Sequence, residues 1–299
     1  MYLENLISPI AVKDFIERYK GQEYFVIHKE INQLKGLFSW AQLNDLLYTH
    51  RLNSPRFRLI RNGEVVDPQT YTNYVNKTRE GLVPKIDSAK LSGELAKGTA
   101  VHILAVDEFS PELTAICTEI SELLSSKISM TMHIGMAESK GFHQHWDSHD
   151  VLVLQLHGKK HWKLYGFTEN YPYREGPAKE EINSNAVIWE GDLDEGDILF
   201  VPRGSWHDVQ AYNEACMHIS IGMFNPKSVD YISWINSQLT QFEFFRKDTP
   251  VTDDPKIIED YLNVLKSKLT GFITAKTYGA FLKQNTNTEN NRIFTLPQI

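Results

Sequence analysis

The residues best placed to do chemistry are two histidines and an aspartate. His145 and Asp147 lie two positions apart in HQHWDSHD, and His207 ends the later run GDILFVPRGSWH. Side chains two apart on a strand leave the same face, so an extended segment here lets the first pair meet one cation. His207 is the candidate third ligand: an apolar strand follows the Gly196–Asp197 turn, and Pro202 and Gly204 bend the chain so that this imidazole can return to the pair. Two imidazoles and one carboxylate leave adjacent coordination positions open, an arrangement that suits non-haem iron(II). Zinc in a hydrolase would accept the same ligands. The bland alternative, a hydrogen-bonded His-x-Asp pair on the surface, fits the spacing alone better, and the neighbouring residues reverse that preference. Eight of the eleven histidines fall between 133 and 218, which directs attention to this region without naming a ligand.

Lys160 is the strongest of those neighbours. In KKHWKLY, a strand over 159–165 puts Lys160 on one face with Trp162 and Leu164, and Lys159, His161 and Lys163 on the other. A buried ammonium is costly unless it meets an anion. A dicarboxylate co-substrate would provide one through a charge-assisted hydrogen bond; the competing reading is a lysine snorkelling to solvent.

The elements that must position these groups are short strands. ISMTMHIG, DVLVLQLHG, KKHWKLYGF, AVIWEGDL, DILFVP and CMHISIGMF are β-type runs separated by turn residues such as Gly158, Gly191 and Gly196. Such regular short strands point to a sandwich or jelly roll rather than a parallel α/β sheet. Ahead of them, Ile10, Phe15 and Tyr19 recur at helical spacing, Tyr24 to Ile27 form an apolar run, and Ser39 precedes a helix carrying Leu43, Leu46 and Leu47. RFRLI alternates like a strand and Asn62–Gly63 follows as a turn. The weak polar pattern over 65–100 reads as exposed loop and short helices near a cleft, and Leu113, Ile116, Ile120 and Leu123 mark an amphipathic helix over 111–127. After Asn225 the period becomes helical again. Ile232, Ile235, Leu239 and Phe242 are expected on one face, Asp254–Pro255 opens a helix bearing Ile258, Tyr261, Leu262, Leu265 and Leu269, and QNTNTENN is expected to be a mobile tail.

Composition narrows the class. The chain of 299 residues is 41% hydrophobic and 23% charged, which is globular, and its net charge of -7 argues against sequence-independent nucleic-acid binding. Cys117 and Cys216 form no CxxC pair, so a disulfide framework or thiolate zinc site is not expected. The amino terminus lacks the basic segment and apolar run of a secretory signal, and no stretch is long and apolar enough for a membrane span. The expectation is a cytoplasmic protein with reduced thiols.

GFHQHWDSHDVLVLQLHGKKHWKLYG followed by GDILFVPRGSWHDV resembles the JmjC oxygenases, and within them the ribosomal-oxygenase and bacterial cupin-like branch. The resemblance runs over 5–225 and is strongest over 129–222; SPIAVKDFIERYKGQEYFVI is similar to that branch's helical lead-in. It implies a mainly β fold with flanking helices: a double-stranded β-helix (jelly-roll, cupin) catalytic domain over 1–225, then a helical region over 226–299 resembling a dimerisation segment. It also implies iron(II), 2-oxoglutarate and dioxygen. His145 and Asp147 match the family's proximal pair, His207 its distal histidine, and Lys160 the partner of the distal 2-oxoglutarate carboxylate. Thr131, His133, His218 and Ser220 sit on strands that flank the co-substrate in relatives, where His133 replaces a tyrosine of some; for each, a buried polar group satisfied by backbone is the competing reading. The chain departs from the family at Phe142-His143-Gln144, where many relatives are proline-rich, and in 226–299, which stands in place of a fuller winged-helix-like domain. His143 and His149 read as supporting or surface residues.

The expected activity is hydroxylation of a protein or peptide side chain, coupled to conversion of 2-oxoglutarate to succinate. The alternatives are N-methyl-lysine demethylation by the same chemistry, a cupin metal enzyme that does not use 2-oxoglutarate, and a binding module with a vestigial site. Substrate choice is expected to rest on 65–100 and 168–186. Tyr231, Trp234, Phe242, Phe244 and Phe245 offer aromatic surface for a homodimer through the carboxyl-terminal helices, and simple packing of these helices against the barrel is the equal alternative.

Overall fold

A computed structural model describes residues 2–29, 34, 36–78, 81–136, 141–173, 186–212 and 214–286. The chain opens with α1 (Tyr2–Ile7) and α2 (Val12–Gly21), which bury Leu3, Leu6, Phe15 and Tyr19. After β1 (Phe25–Ile27), helix α3 (Trp40–Thr49) starts at a capping box in which the Ser39 hydroxyl accepts the Gln42 N–H. β2 (Phe57–Arg61) and β3 (Glu64–Val65) then fold back on each other through Asn62 and Gly63, both left-handed at φ 52° and 78°.

The stretch expected to be loop is more ordered than its polarity suggested. β4 (Thr72–Thr78) and β5 (Gly81–Ile86) form a separate hairpin, α4 (Ser88–Leu95) is capped by Asp87, and β6 (Ala100–Leu104) enters the main sheet. The hairpin leaves Tyr74 and Leu82 exposed, so it carries no in-out alternation; β6 is almost wholly buried, so its pattern does not alternate either.

Helix α5 (Pro111–Leu124), capped by Ser110, leads into β7 (Lys127–Gly135). β8 (Asp150–His157), β9 (Lys160–Phe167), β10 (Val187–Leu193), β11 (Ile198–Val201), β12 (Ser205–Ala211) and β13 (Cys216–Phe224) follow. β12 is a further strand not marked by a β-type run in the sequence: His207 lies on it, beyond the bend at Gly204, whose φ is 79°.

Every pairing is antiparallel. One sheet has the order β1-β11-β8-β13-β7-β6-β2-β3, and a smaller one has β10-β9-β12. β8 shows how the two are held together. Its Leu152, Leu154 and Leu156 join the core that includes Phe15, Ile116 and Ile120 of the helices, while Val151 and Val153 pack on Trp162 and Leu164 of the smaller sheet. This is a jelly-roll barrel, mainly β with flanking helices, and its interior lies between the sheets.

The carboxyl-terminal part is helical: α6 (Ser228–Leu239), α7 (Glu243–Arg246), α8 (Pro255–Phe272) and α9 (Ala275–Gln284). The apolar face expected on α6 is narrower than its pattern. Ile235 and Leu239 are buried, whereas Ile232 is 56% exposed, and Phe242, 49% exposed, lies beyond the end of the helix. The aromatic residues are largely spent on one another: Tyr231 and Trp234 pack on Phe281, Phe242 on Phe272, and Phe244 on Tyr261. No side chain of α8 is buried. The polar tail falls mainly on residues outside those described. Among the described residues, no helix is long and apolar enough to cross a membrane.

Candidate metal centre and its cavity

His145 is not on a regular strand, contrary to the expectation for its segment. It makes an isolated antiparallel bridge with His207 of β12, in which each backbone N–H donates to the other's carbonyl, at 3.1 and 2.8 Å. The Gly204 N–H donates to the Asp147 carbonyl at 2.8 Å. Backbone pairing, rather than strand alternation, therefore brings the two motifs together. One potential ligand atom from each of His145, Asp147 and His207 lies within 4.8 Å of the others, and the His207 Nε2 to Asp147 Oδ2 distance is 3.7 Å.

Both imidazoles are oriented through their other nitrogen. His145 Nδ1–H donates to the His143 carbonyl at 2.7 Å, and His207 Nδ1–H to the Ser205 carbonyl at 3.1 Å. That tautomer leaves each Nε2 lone pair for a cation. Burial, reinforced by neighbouring His145, pushes His207 down to about 4, so it is neutral at physiological pH. His143, read from sequence as a supporting or surface residue, thus contributes a carbonyl, and its ring covers Gly63 of the β2–β3 turn. His149 stacks on Phe224 at 4.3 Å.

β9 follows the alternation read from its sequence. Lys160, Trp162 and Leu164 face the barrel interior, whereas His161 and Lys163 face outward and pair with Glu190, His161 also with Asp192. Lys160 is 6% exposed and has no hydrogen bond or ion pair among the described residues. Burial lowers its pKa. An ammonium held this way carries a desolvation cost that no described residue offsets and that a bound anion would.

Lys160 and the triad border one cavity of about 450 Å³, within the usual range for a small-molecule site. Thr131, His133, His218 and Ser220 border it too, on β7 and β13, where Thr131 lies opposite Ser220 and His133 opposite His218. Sequence reasoning missed Arg58, His102 and Phe142. His102 on β6 lies opposite His133 and its ring is 4.3 Å away; the Phe142 ring touches both His102 and His145, at 5.0 and 5.4 Å. Their signal was weak because Arg58 and His102 come from strands whose partners cannot be read locally.

The JmjC domain family matches residues 104–231, which contain the triad and Lys160. Over these residues the chain is similar to JmjC domains. A relative from Dictyostelium discoideum named bifunctional lysine-specific demethylase and histidyl-hydroxylase NO66 is 27% identical over 231 residues, 74% of this chain and 42% of that protein. The protein of the same name from Brugia malayi is 24% identical, over 73% of this chain and 30% of its own length. The chain thus spans less than half the length of these curated relatives. Among solved structures it is similar to YcfD, a ribosomal oxygenase from Escherichia coli, with TM-score 0.60 and 17% identity over 91% of this chain and 69% of that one. A YcfD structure in complex with cobalt and 2-oxoglutarate gives TM-score 0.60 and 18% identity, over 92% and 71% of the two chains. At that identity the likeness concerns the fold.

Proposed function

We propose that this protein is an iron(II)- and 2-oxoglutarate-dependent oxygenase that hydroxylates a protein or peptide side chain. One observation carries the reading: three metal-capable side chains and a buried ammonium with no partner among the described residues border the same cavity. His145, Asp147 and His207 would hold the metal. Lys160 would take the distal carboxylate of 2-oxoglutarate, with Thr131, His133, His218 and Ser220 as further hydrogen-bonding contacts. The bound metal supplies the oxidation, which turns 2-oxoglutarate, dioxygen and a C–H bond into succinate, carbon dioxide and an alcohol. The chain's own part is to orient two reactants and exclude water, which the buried apolar walls of Trp162 and Val201 favour.

The name of the Dictyostelium discoideum relative pairs histidyl hydroxylation with lysine demethylation, so N-methyl-lysine demethylation is the second reading. The purified protein, given iron(II), 2-oxoglutarate and candidate peptides in air, is expected to form succinate and add one oxygen to an intact peptide. Formaldehyde release from methylated peptides would favour demethylation instead. Wild-type turnover by His145→Ala or Asp147→Ala would refute the metal assignment.

Two further parts of the reading concern the whole protein. We propose a homodimer through the carboxyl-terminal helices, supported by apolar α8 side chains such as Ile257 and Leu262, which are 48% and 51% exposed. We also propose a cytoplasmic location, supported by two buried free thiols, Cys117 and Cys216.

A further inference from the structure

A row of three imidazoles crosses the wall of the cavity. His102 on β6, His133 on β7 and His218 on β13 are direct cross-strand neighbours. His133 and His218 stack at 4.6 Å with their planes 14° apart, and His133 Nδ1 lies 3.3 Å from His102 Nε2. All three line the cavity that Lys160 enters. The row has no carboxylate partner among the described residues, and burial beside the Lys160 charge keeps it neutral, His102 being lowered to about 3.

Neutrality makes the single His102–His133 hydrogen bond decide what His133 offers the cavity. If His133 Nδ1 carried the proton, its Nε2 would present a lone pair, which repels a carboxylate. If His102 Nε2–H donates instead, His133 must carry its proton on Nε2 and becomes a hydrogen-bond donor. The same cavity holds an ammonium, so its occupant is an anion and the second tautomer is the one that fits.

We propose that His102 is a positioning residue for the co-substrate: by donating Nε2–H to His133 Nδ1 it fixes His133 as an Nε2–H donor to the bound dicarboxylate. The inference rests on the oxygenase reading. His102 acts through His133, whose ring is also confined by stacking on His218. Loss of one hydrogen bond to a charged group corresponds to about a tenfold weaker complex.

The test uses the full chain loaded with manganese(II) under nitrogen, with 2-oxoglutarate binding measured by calorimetry, and no turnover is required. His102→Leu is expected to weaken 2-oxoglutarate binding about tenfold while manganese affinity is unchanged. His102→Gln, whose amide N–H can replace the imidazole donor, is expected to restore most of it, a rescue that a packing role would not give. Equal 2-oxoglutarate affinity in wild type and His102→Leu overturns the inference. Failure of wild type to bind 2-oxoglutarate at all overturns the oxygenase reading instead. Nitrogen-15 NMR of the wild-type complex decides the matter should a variant fail to fold: His133 protonated on Nε2 supports the proposal, and His133 protonated on Nδ1 ends it.

Discussion

Replacing Lys160 with methionine should make the metal-free protein more stable and the co-substrate site useless. The lysine is 6% exposed and unpaired among the described residues, and burial depresses its pKa. Its folded pKa lies below its unfolded one, so at neutral pH the charged form opposes folding, and removing the charge removes that opposition. Methionine keeps an unbranched chain of similar reach and fills the space with apolar atoms. Exchanging a buried ionic group for a hydrophobe typically gains about 1–4 kcal/mol, which for a chain of this size is a rise of about 2–6 °C in Tm. In the other direction, a lost charge-assisted hydrogen bond costs about 1.5–3 kcal/mol, or about 10–100-fold in 2-oxoglutarate affinity. Lys160→Arg keeps the charge and is expected to retain more of the affinity than methionine does. Thermal and urea unfolding of the apo variants, with calorimetry of 2-oxoglutarate on manganese-loaded protein, measure both quantities. A methionine variant that is less stable without ligand, or that binds 2-oxoglutarate as tightly as wild type, refutes the reasoning.

Gly63→Ala should weaken iron or manganese binding by about tenfold or more, because a Cβ there meets the His143 ring, and the His143 carbonyl holds His145 at 2.7 Å; equal metal affinity in titrations of both proteins counts against that link. Apo stability should fall as pH drops below about 6.5. His102, His133 and His218 have folded pKa values depressed below their unfolded ones, so unfolding takes up protons and each costs up to about 1.4 kcal/mol per pH unit on the way down; urea midpoints that stay flat from pH 7 to 5 would contradict the buried neutral row. Leu262→Glu on α8 should shift sedimentation toward monomer without lowering Tm, since that side chain is 51% exposed; a wild-type protein that is monomeric at high concentration disposes of the proposed dimer.

Local regularities carried much of this protein into view. The period of two on KKHWKLY was enough to assign Lys160 to the inner face, since pleating alone sends alternate side chains to opposite sides. Short β-type runs also marked β7, β8, β9, β10, β11 and β13, and with them the jelly-roll class. The spacing of His145 and Asp147 and the family motifs singled out three groups that the structure brings within 4.8 Å of one another, although His145 sits in an isolated backbone bridge to β12 and not on a regular strand. Only the folded chain could decide register. Whether His102 stands opposite His133, and His133 opposite His218, depends on hydrogen-bond ladders between strands far apart in sequence, and a slip of one residue would turn each ring to the other face. Partners were equally hidden on α6 and α8, whose helical patterns are alike although only α6 buries side chains. Sequence period specifies which side of an element is apolar; what that side meets is set by long-range closure of the whole chain.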